Sequence, residues 1–258
     1  MRALVAVLVL LVAGWSQGAF AAIAVDDSTV ARVTVAADNA TDYFTANFTP
    51  PSGSLLLVLI NVKANSCDNT ISTSISSSNG LSFFGIDEQE SGTVCGYAGA
   101  YYAKVVSGVS MNIAVSKSAD LGATDTLSFK VYIVTGHDST TPIGAKTRGT
   151  STTNNYTSTT YTSTVSNSRG FGVATDGNVL GTPASTDTED AGTSAGQISF
   201  LSAYKASDTG SSGSSVSLNF DAAGASAAAW NWITFEVKPA AGGGGGANPA
   251  TINNGFVF

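Results

Sequence analysis

Short apolar segments in which side chains alternate with a period of two run through almost the whole chain. They are rich in Val, Ile, Tyr, Phe and Thr, and clusters of Ser, Gly, Asn and Asp separate them. Two of them, SLLLVLI and VYIVTG, are almost continuously apolar, which is typical of strands covered on both faces. Twelve such segments predict an all-β protein, a two-sheet antiparallel β-sandwich that is jelly-roll-like and has about 12 strands.

The last predicted strand, WNWITFEVK, divides its side chains between two faces. Ile233, Phe235 and Val237 share one face, which we predict to be the core, and Trp230 and Trp232 share the other. We expect Trp230 to pack under a loop or in a second apolar layer.

Trp232 is the candidate ligand-binding residue of this strand. With Tyr101 or Tyr102 it would form a flat platform on which a sugar ring stacks. Packing of Trp232 in the interior is the alternative.

Both ends of the chain differ from the middle. Residues 1–21 have one basic residue, an apolar stretch and a small-x-small ending at Ala21, which predict a secretory signal peptide. Residues 22–240 are predicted to form a single sandwich domain, and residues 241–247 a glycine-rich linker. Residues 248–258 form a tail that ends in FVF, and the alternatives for it are a frayed terminus and a docking strand.

Charge and compartment limit the partners. Without Arg2 the chain has 10 basic and 18 acidic residues, so the net charge is 10 − 18 = −8, which excludes binding to a nucleic-acid backbone. The apolar leader is shorter than the roughly 20 residues that span a bilayer, so we expect no membrane span after signal removal. The predicted location is secreted or cell surface, in the periplasm or outside the cell, with a virion as a further alternative.

Two cysteines remain after the leader, Cys67 and Cys95. Export favours a disulfide between them, which would close a loop of 29 residues and stabilise the fold by roughly 3–4 kcal/mol. With one histidine in the chain and no C-x-x-C sequence, the alternative of a metal site built on cysteine is disfavoured.

Acidic residues supply the remaining candidates for chemistry. Asp187, Glu189 and Asp190 in STDTEDAG are the best candidate calcium ligands in the sequence, although they do not have EF-hand spacing. Calcium is the one cofactor that the sequence suggests. Asp87 and Glu90 are the carboxylates on which a glycan hydrolase would depend. The pair His137 and Asp138 opens a corner, HDSTTP, in which we expect Asp138 to cap backbone amides.

Several segments, taken in order, resemble a domain family. They are SGSLLLVLINVKA, AGAYYAKVVSG, YIVTGHDSTTPI, SFLSAYKA and AAAWNWITFEVKPA. Their order is similar to that of a jelly-roll-like β-sandwich domain, largely uncharacterised, that recurs in bacterial secreted proteins and in phage or prophage structural proteins. The resemblance spans roughly residues 43–240 and implies attachment to surface or virion proteins, with no catalytic residues to carry over. The chain departs from that family at Trp232 and Glu236, where small residues are usual, and in Cys67 and Cys95.

These observations predict a non-catalytic extracellular or virion-associated sandwich for surface attachment, display or assembly, with weak glycan binding. The expected partners are glycans and components of a cell surface or virion. One alternative is a glycan-active hydrolase that uses acidic residues. Another is a filament or multimer subunit, a homo-oligomer completed by its C-terminal strand.

Overall fold

A computed structural model describes residues 21–36, 42–63, 71–91, 94–117, 126–151, 155–176, 182–184, 187–194, 198–223 and 230–241. Seventeen strands and no helix are present in these residues. In chain order the first nine are β1 (Ala24–Asp26), β2 (Val33–Ala36), β3 (Asp42–Phe44), β4 (Leu55–Lys63), β5 (Thr73–Ser77), β6 (Phe84–Ser91), β7 (Val94–Lys104), β8 (Ile113–Lys117) and β9 (Thr126–Thr135). The other eight are β10 (Ile143–Ser151), β11 (Asn155–Thr162), β12 (Arg169–Asp176), β13 (Thr182–Ala184), β14 (Thr188–Ser194), β15 (Ile198–Tyr204), β16 (Ser215–Ala223) and β17 (Trp230–Val237).

The strands form four antiparallel sheets. Two are large, with the orders β1-β9-β4-β7-β6, to which β2 adds by pairing with β9, and β10-β17-β12-β15-β14. Two are small, with the orders β3-β8-β5 and β11-β16-β13. The prediction of an all-β antiparallel sandwich is confirmed, and the sandwich has more layers and more strands than the sequence indicated.

The two halves of the chain repeat one topology. Strands β1 and β2 both pair with β9, β1 along its last residues and β2 along its first, so they act as one interrupted strand. Counted in this way, each half has eight strands, and the order of the large and the small sheet is the same in both. We call residues 24–135 the first repeat and residues 143–237 the second repeat.

Equivalent residues of the two repeats meet at their common boundary. Asn61 is opposite Ser128 in the first large sheet, and Thr175 holds the same register position opposite Asn231 in the second. The amide of Asn61 donates to the hydroxyl of Thr175 over 2.7 Å and to the carbonyl of Ala174 over 2.8 Å. A contact between equivalent positions is the mark of an isologous, twofold arrangement.

A common apolar core lies between the two large sheets. Leu57, Leu59 and Tyr132 of the first repeat pack with Phe171 and Phe235 of the second, and all five side chains are fully buried. Because this core takes residues from both repeats, it favours the single domain predicted for residues 22–240, which stays a prediction.

Each large sheet is also covered on its outer face by a small sheet. Val58, Ile60 and Phe129 pack against Ile113 and Val115 of β8 in the first repeat. In the second repeat, a smaller cluster joins the outer face of the large sheet to β16; its members are Ala174, Leu201, Ala203, Leu218, Phe220, Trp230 and Trp232. Strands β4, β9 and β17 are therefore buried on both faces, in agreement with the apolar runs of β4 and β9.

The twelve predicted segments overlap the strands β2, β3, β4, β6, β7, β8, β9, β11, β12, β15, β16 and β17, and five further strands were not predicted. These five are β1, β5, β10, β13 and β14, and each lies at the edge of its sheet. Small and polar residues dominate them, as in TSISS of β5 and TEDAGTS of β14. These five edge strands form through backbone pairing with a neighbour, and their own sequences carry little apolar alternation.

Gly136 fixes the corner that follows β9. Its φ is +75°, and a Cβ atom at this position would lie 2.2 Å from the carbonyl oxygen of Ala22. Gly53 has nearly the same φ, +77°, but nothing within 4 Å of its Cβ position.

We expect Gly136→Ala to lower the free energy of unfolding by about 2–3 kcal/mol and Gly53→Ala by about 1 kcal/mol, as urea unfolding would measure. Equal losses in the two variants would mean that Ala22 does not pack on this corner.

Candidate functional site

A pair of aromatic rings lies on the surface at one end of the first large sheet. Phe84 begins β6 and is paired in register with Tyr102 of β7, so the two side chains share a face. Their ring centroids are 5.3 Å apart with an interplanar angle of 28°. Phe84 is 51% exposed, whereas Tyr102 is half-buried against the core between the repeats. We call these two residues the aromatic pair.

Polar and cationic groups flank the aromatic pair. Lys104, two residues after Tyr102 on the same face of β7, donates from Nζ to the carbonyl of Thr140 over 2.7 Å. Lys146 of β10 donates from Nζ to the carbonyl of Ile86, two residues after Phe84. Exposed rings with nearby donors are the groups that recognise a sugar, whose C–H face packs on a ring while its hydroxyls bond at the margin.

The structure does not bring Trp232 to this surface. Trp232 is only 6% exposed and packs in the outer core of the second repeat, where its ring also lies against Gly149. Tyr101 points to the opposite face of β7 from Tyr102 and belongs to the outer core of the first repeat. Of the three predicted ligand-binding residues, only Tyr102 lies at the aromatic pair, and Phe84 takes the place expected for Trp232.

Tyr101 belongs to a cluster of hydroxyl groups between β5 and β7. Its hydroxyl lies 3.0 Å from that of Tyr97 and 3.1 Å from that of Thr73, and it donates to the carboxylate of Glu88. Burial, together with the hydrogen bond to Glu88, raises the pKa of Tyr101. These hydroxyls satisfy one another, so the cluster is a polar element of the packing.

The two carboxylates of the hydrolase hypothesis lie on opposite faces of β6. Asp87 turns toward the second repeat, where it pairs with Arg148 over 2.8 Å and with Lys146 over 3.4 Å. Glu90 turns toward the small sheet and accepts from the amide of Ile71 over 3.1 Å. Burial, with the charge of Glu88, raises the pKa of Glu90 despite this hydrogen bond. The structure therefore does not bring Asp87 and Glu90 together across a cleft.

Of the three residues predicted as calcium ligands, only Asp187 has a described side chain, and it is engaged within the fold. Asp187 forms an ion pair with Lys205 over 2.5 Å and accepts from the amide of Asn219 over 3.1 Å. Glu189 and Asp190 are in the backbone of β14, and their side chains lie outside the described residues. Among the residues that the structure describes, no three carboxylate, histidine or cysteine side chains gather as a metal site.

The corner at His137 and Asp138 is a structural turn, as expected. The Asp138 carboxylate accepts from the amides of Thr140 and Thr141 over 2.8 and 3.0 Å. These hydrogen bonds from backbone amides, together with the charge of Lys238, lower the pKa of Asp138. His137 is buried, and burial lowers its pKa. The amide of Asp138 also donates to the carbonyl of Lys238, which joins the ends of β9 and β17.

Glu236, where the chain departs from the resembled family, is an internal anchor. It is fully buried, and its carboxylate accepts from the amides of Ala145 and Thr164 over 2.9 Å, from the Thr164 hydroxyl over 2.6 Å and from the amide of Val165 over 3.3 Å. Burial alone would raise its pKa, but these hydrogen bonds and one from Ser168 lower it. Glu236 thus holds the start of β10 and the segment after β11 against β17.

Four predictions fall outside the described residues, and one of them is the glycine-rich linker at 241–247, of which only Ala241 is described. Cys67 and the side chain of Cys95 are not described, so the disulfide stays a prediction. The same holds for the signal peptide, of which only Ala21 is described, and for the tail at 248–258.

We compared the chain with family models, curated proteins and solved structures. No family model, curated protein or solved structure matches the chain. In the part of the chain that the structure describes, no helix has the length and apolar character that crossing a membrane requires.

Proposed function

We propose that this protein is a non-catalytic attachment module that is exported and binds glycans weakly through the aromatic pair. The observation that carries the proposal is the stacking of an exposed Phe84 on Tyr102, with Lys104 and Lys146 at its margin. One exposed ring on one half-buried ring offers a small contact area, which fits weak binding by stacking.

The strands around the aromatic pair are held by buried packing and ion pairs, which supports recognition with little rearrangement. Tyr102 is held by the buried core between the repeats, and β6 is joined to β10 through Asp87, Lys146 and Arg148. Arg148 also donates to the carbonyl of Glu88 on the outer edge of β6. A site built on fixed strands loses little entropy when a ligand binds.

A glycan array with the mature protein, followed by titration of the best ligand, tests the proposal. We expect Phe84→Ala to weaken binding about tenfold, which corresponds to about 1.4 kcal/mol. Phe44→Ala is the matched control, because Phe44 is 56% exposed on β3 of a small sheet and is expected to leave the affinity unchanged. Binding that survives Phe84→Ala would contradict the assignment of the surface.

A reducing-sugar assay on the same glycans separates attachment from hydrolysis. We expect no release of reducing ends by the wild-type protein. Release that is lost in Asp87→Asn or Glu90→Gln would instead establish the hydrolase alternative.

A further inference from the structure

We propose that a pocket in the second repeat binds a single neutral hexose. The pocket lies between the loop that follows β15 and the first residues of β16, and its volume is about 340 Å³. Small-ligand sites usually have volumes of about 300–1,000 Å³. Because the aromatic pair belongs to the first repeat, this pocket is a separate site, and the inference does not depend on the proposed function.

Hydroxyl groups dominate the lining of the pocket. Five side chains supply them: Ser207, Thr209, Ser214, Ser215 and Ser217. Val216 adds one apolar side chain. Hydroxyl side chains both donate and accept hydrogen bonds, so they match a ligand that carries several hydroxyls of its own.

The carboxylate of Asp208 is held in position with one oxygen left for a ligand. Its Oδ1 atom accepts from Nε of Arg169 over 2.8 Å and lies 2.7 Å from Nη2 of the same guanidinium. Among the described residues, no group donates to Oδ2. An oriented carboxylate oxygen of this kind accepts a charge-assisted hydrogen bond from a ligand hydroxyl.

The open edge of β16 supplies a backbone donor to the pocket. In the part of the chain that the structure describes, β13 pairs only with the last three residues of β16, so the first three residues have no strand beside them on that side. The amide of Asn219 donates to Asp187, which follows β13, and the amide of Ser217, two residues earlier, faces the same way. Asp208 and Ser217 thus offer an acceptor and a donor, which two adjacent sugar hydroxyls match.

The charged groups around the pocket form two ion pairs. Asp208 pairs with Arg169, and Lys205 pairs with the buried Asp187 over 2.5 Å. Because each charge has an opposite charge beside it, the pocket favours a neutral ligand over an anion or a cation.

The loop that carries Asp208 and Thr209 is held by the segment between β11 and β12. The Thr209 amide donates to the Ser168 carbonyl over 2.6 Å, and the Asn167 amide donates to the Thr209 carbonyl over 2.8 Å. Asn167 has a φ of +58° and is the one non-glycine residue with a positive φ in the described residues. This conformation is uncommon outside glycine and persists where neighbouring groups hold it. The pocket is therefore preformed, which lowers the entropic cost of binding.

Amide NMR spectra of the isotope-labelled mature protein, titrated with the methyl α-glycosides of glucose, galactose and mannose, test this inference. We expect the amide resonances of Asp208, Thr209 and Ser217 to shift and saturate with at least one of these sugars. Asp208→Asn should weaken that binding about tenfold, because the charge on the acceptor is lost. Asp42→Asn, the same change at an exposed position on β3, is the control and should leave the affinity unchanged.

Gly210→Phe gives a second variant that leaves both ion pairs in place. Gly210 lines the pocket, and nothing lies within 4 Å of the position that its Cβ atom would take, so a large side chain fits there and fills the pocket. We expect Gly210→Phe to abolish the shifts and Gly210→Ala to keep them.

Two outcomes would overturn the inference. One is the absence of shifts at Asp208, Thr209 and Ser217 with all three sugars, and the other is binding that persists in both Asp208→Asn and Gly210→Phe. Phe84→Ala should leave the shifts at these residues unchanged, so failure of this pocket is distinguishable from failure of the aromatic pair.

Discussion

Phe171→Ala should lower the free energy of unfolding by about 3–5 kcal/mol, the usual range for removing a fully buried aromatic ring. The Phe171 ring stacks on Phe235 and Tyr204 with centroid distances of 5.8 and 5.7 Å, and its edge contact with Tyr132 at 6.1 Å reaches the first repeat. The variant would leave a cavity between the two large sheets. Urea unfolding measures the loss.

The same variant tests whether the repeats unfold together. Both tryptophans that follow the leader, Trp230 and Trp232, lie in the second repeat, so tryptophan fluorescence reports that repeat alone. Hydrogen exchange of peptides from β4 reports the first repeat. We expect Phe171→Ala to shift both transitions equally, because the core between the sheets is shared. A shift confined to the fluorescence signal would contradict this, and Phe44→Ala, at an exposed site, should shift neither.

Glu236→Gln should lower the free energy of unfolding by about 2–4 kcal/mol without changing the side-chain volume. Both carboxylate oxygens accept hydrogen bonds from backbone amides, so the NH₂ group of glutamine would face an N–H donor inside the fold. Asp87→Asn, which alters a partly exposed ion pair, should cost less than about 1 kcal/mol. Comparable losses in the two variants would contradict the role of Glu236 as an anchor.

Glu236 also gives a pH dependence with a definite sign. Its pKa is lower in the folded protein than in the unfolded chain, so protonation favours the unfolded chain. Its contribution is therefore present above the unfolded pKa of about 4.3 and is lost as the pH falls through the folded value. Chemical unfolding at a series of pH values should show a smaller acid loss in Glu236→Gln than in the wild-type protein, and identical slopes would contradict the account.

The sequence predicts the inner strands well because their apolar patterns are strong. Strands β4 and β9 are buried on both faces as their apolar runs indicate, and Ile233, Phe235 and Val237 face the core between the repeats. Trp230 packs in a second apolar layer, as expected. The five strands that escape prediction, β1, β5, β10, β13 and β14, lie at sheet edges and form through backbone pairing with a neighbour rather than through an apolar pattern of their own.

The burial of Trp232 could not be predicted from the sequence of its own strand. Alternation separates two faces, but it does not tell whether a second sheet covers the outer face. Here the small sheet β11-β16-β13 lies over that face, so Trp232 is interior. Phe84 could have been found by asking which aromatic residue opposes Tyr102 in the hairpin between β6 and β7.

The topological repeat is almost invisible in the sequence. Tyr102 and Tyr204 occupy equivalent register positions, as do Val134 and Val237. Most other equivalent pairs differ, such as Lys130 and Ile233 or Val62 and Asp176. Burial and strand order can be kept while side chains change, so the duplication is apparent only from the strand pairing.

An aromatic NMR titration of the mature protein with the best glycan from the array tests the functional proposal most directly. We predict that the ring resonances of Phe84 and Tyr102 shift together and saturate, while those of the buried Trp232 stay in place and the glycan remains intact. Shifts that leave Phe84 and Tyr102 untouched, or cleavage of the glycan during the titration, would contradict an attachment module that binds through the aromatic pair.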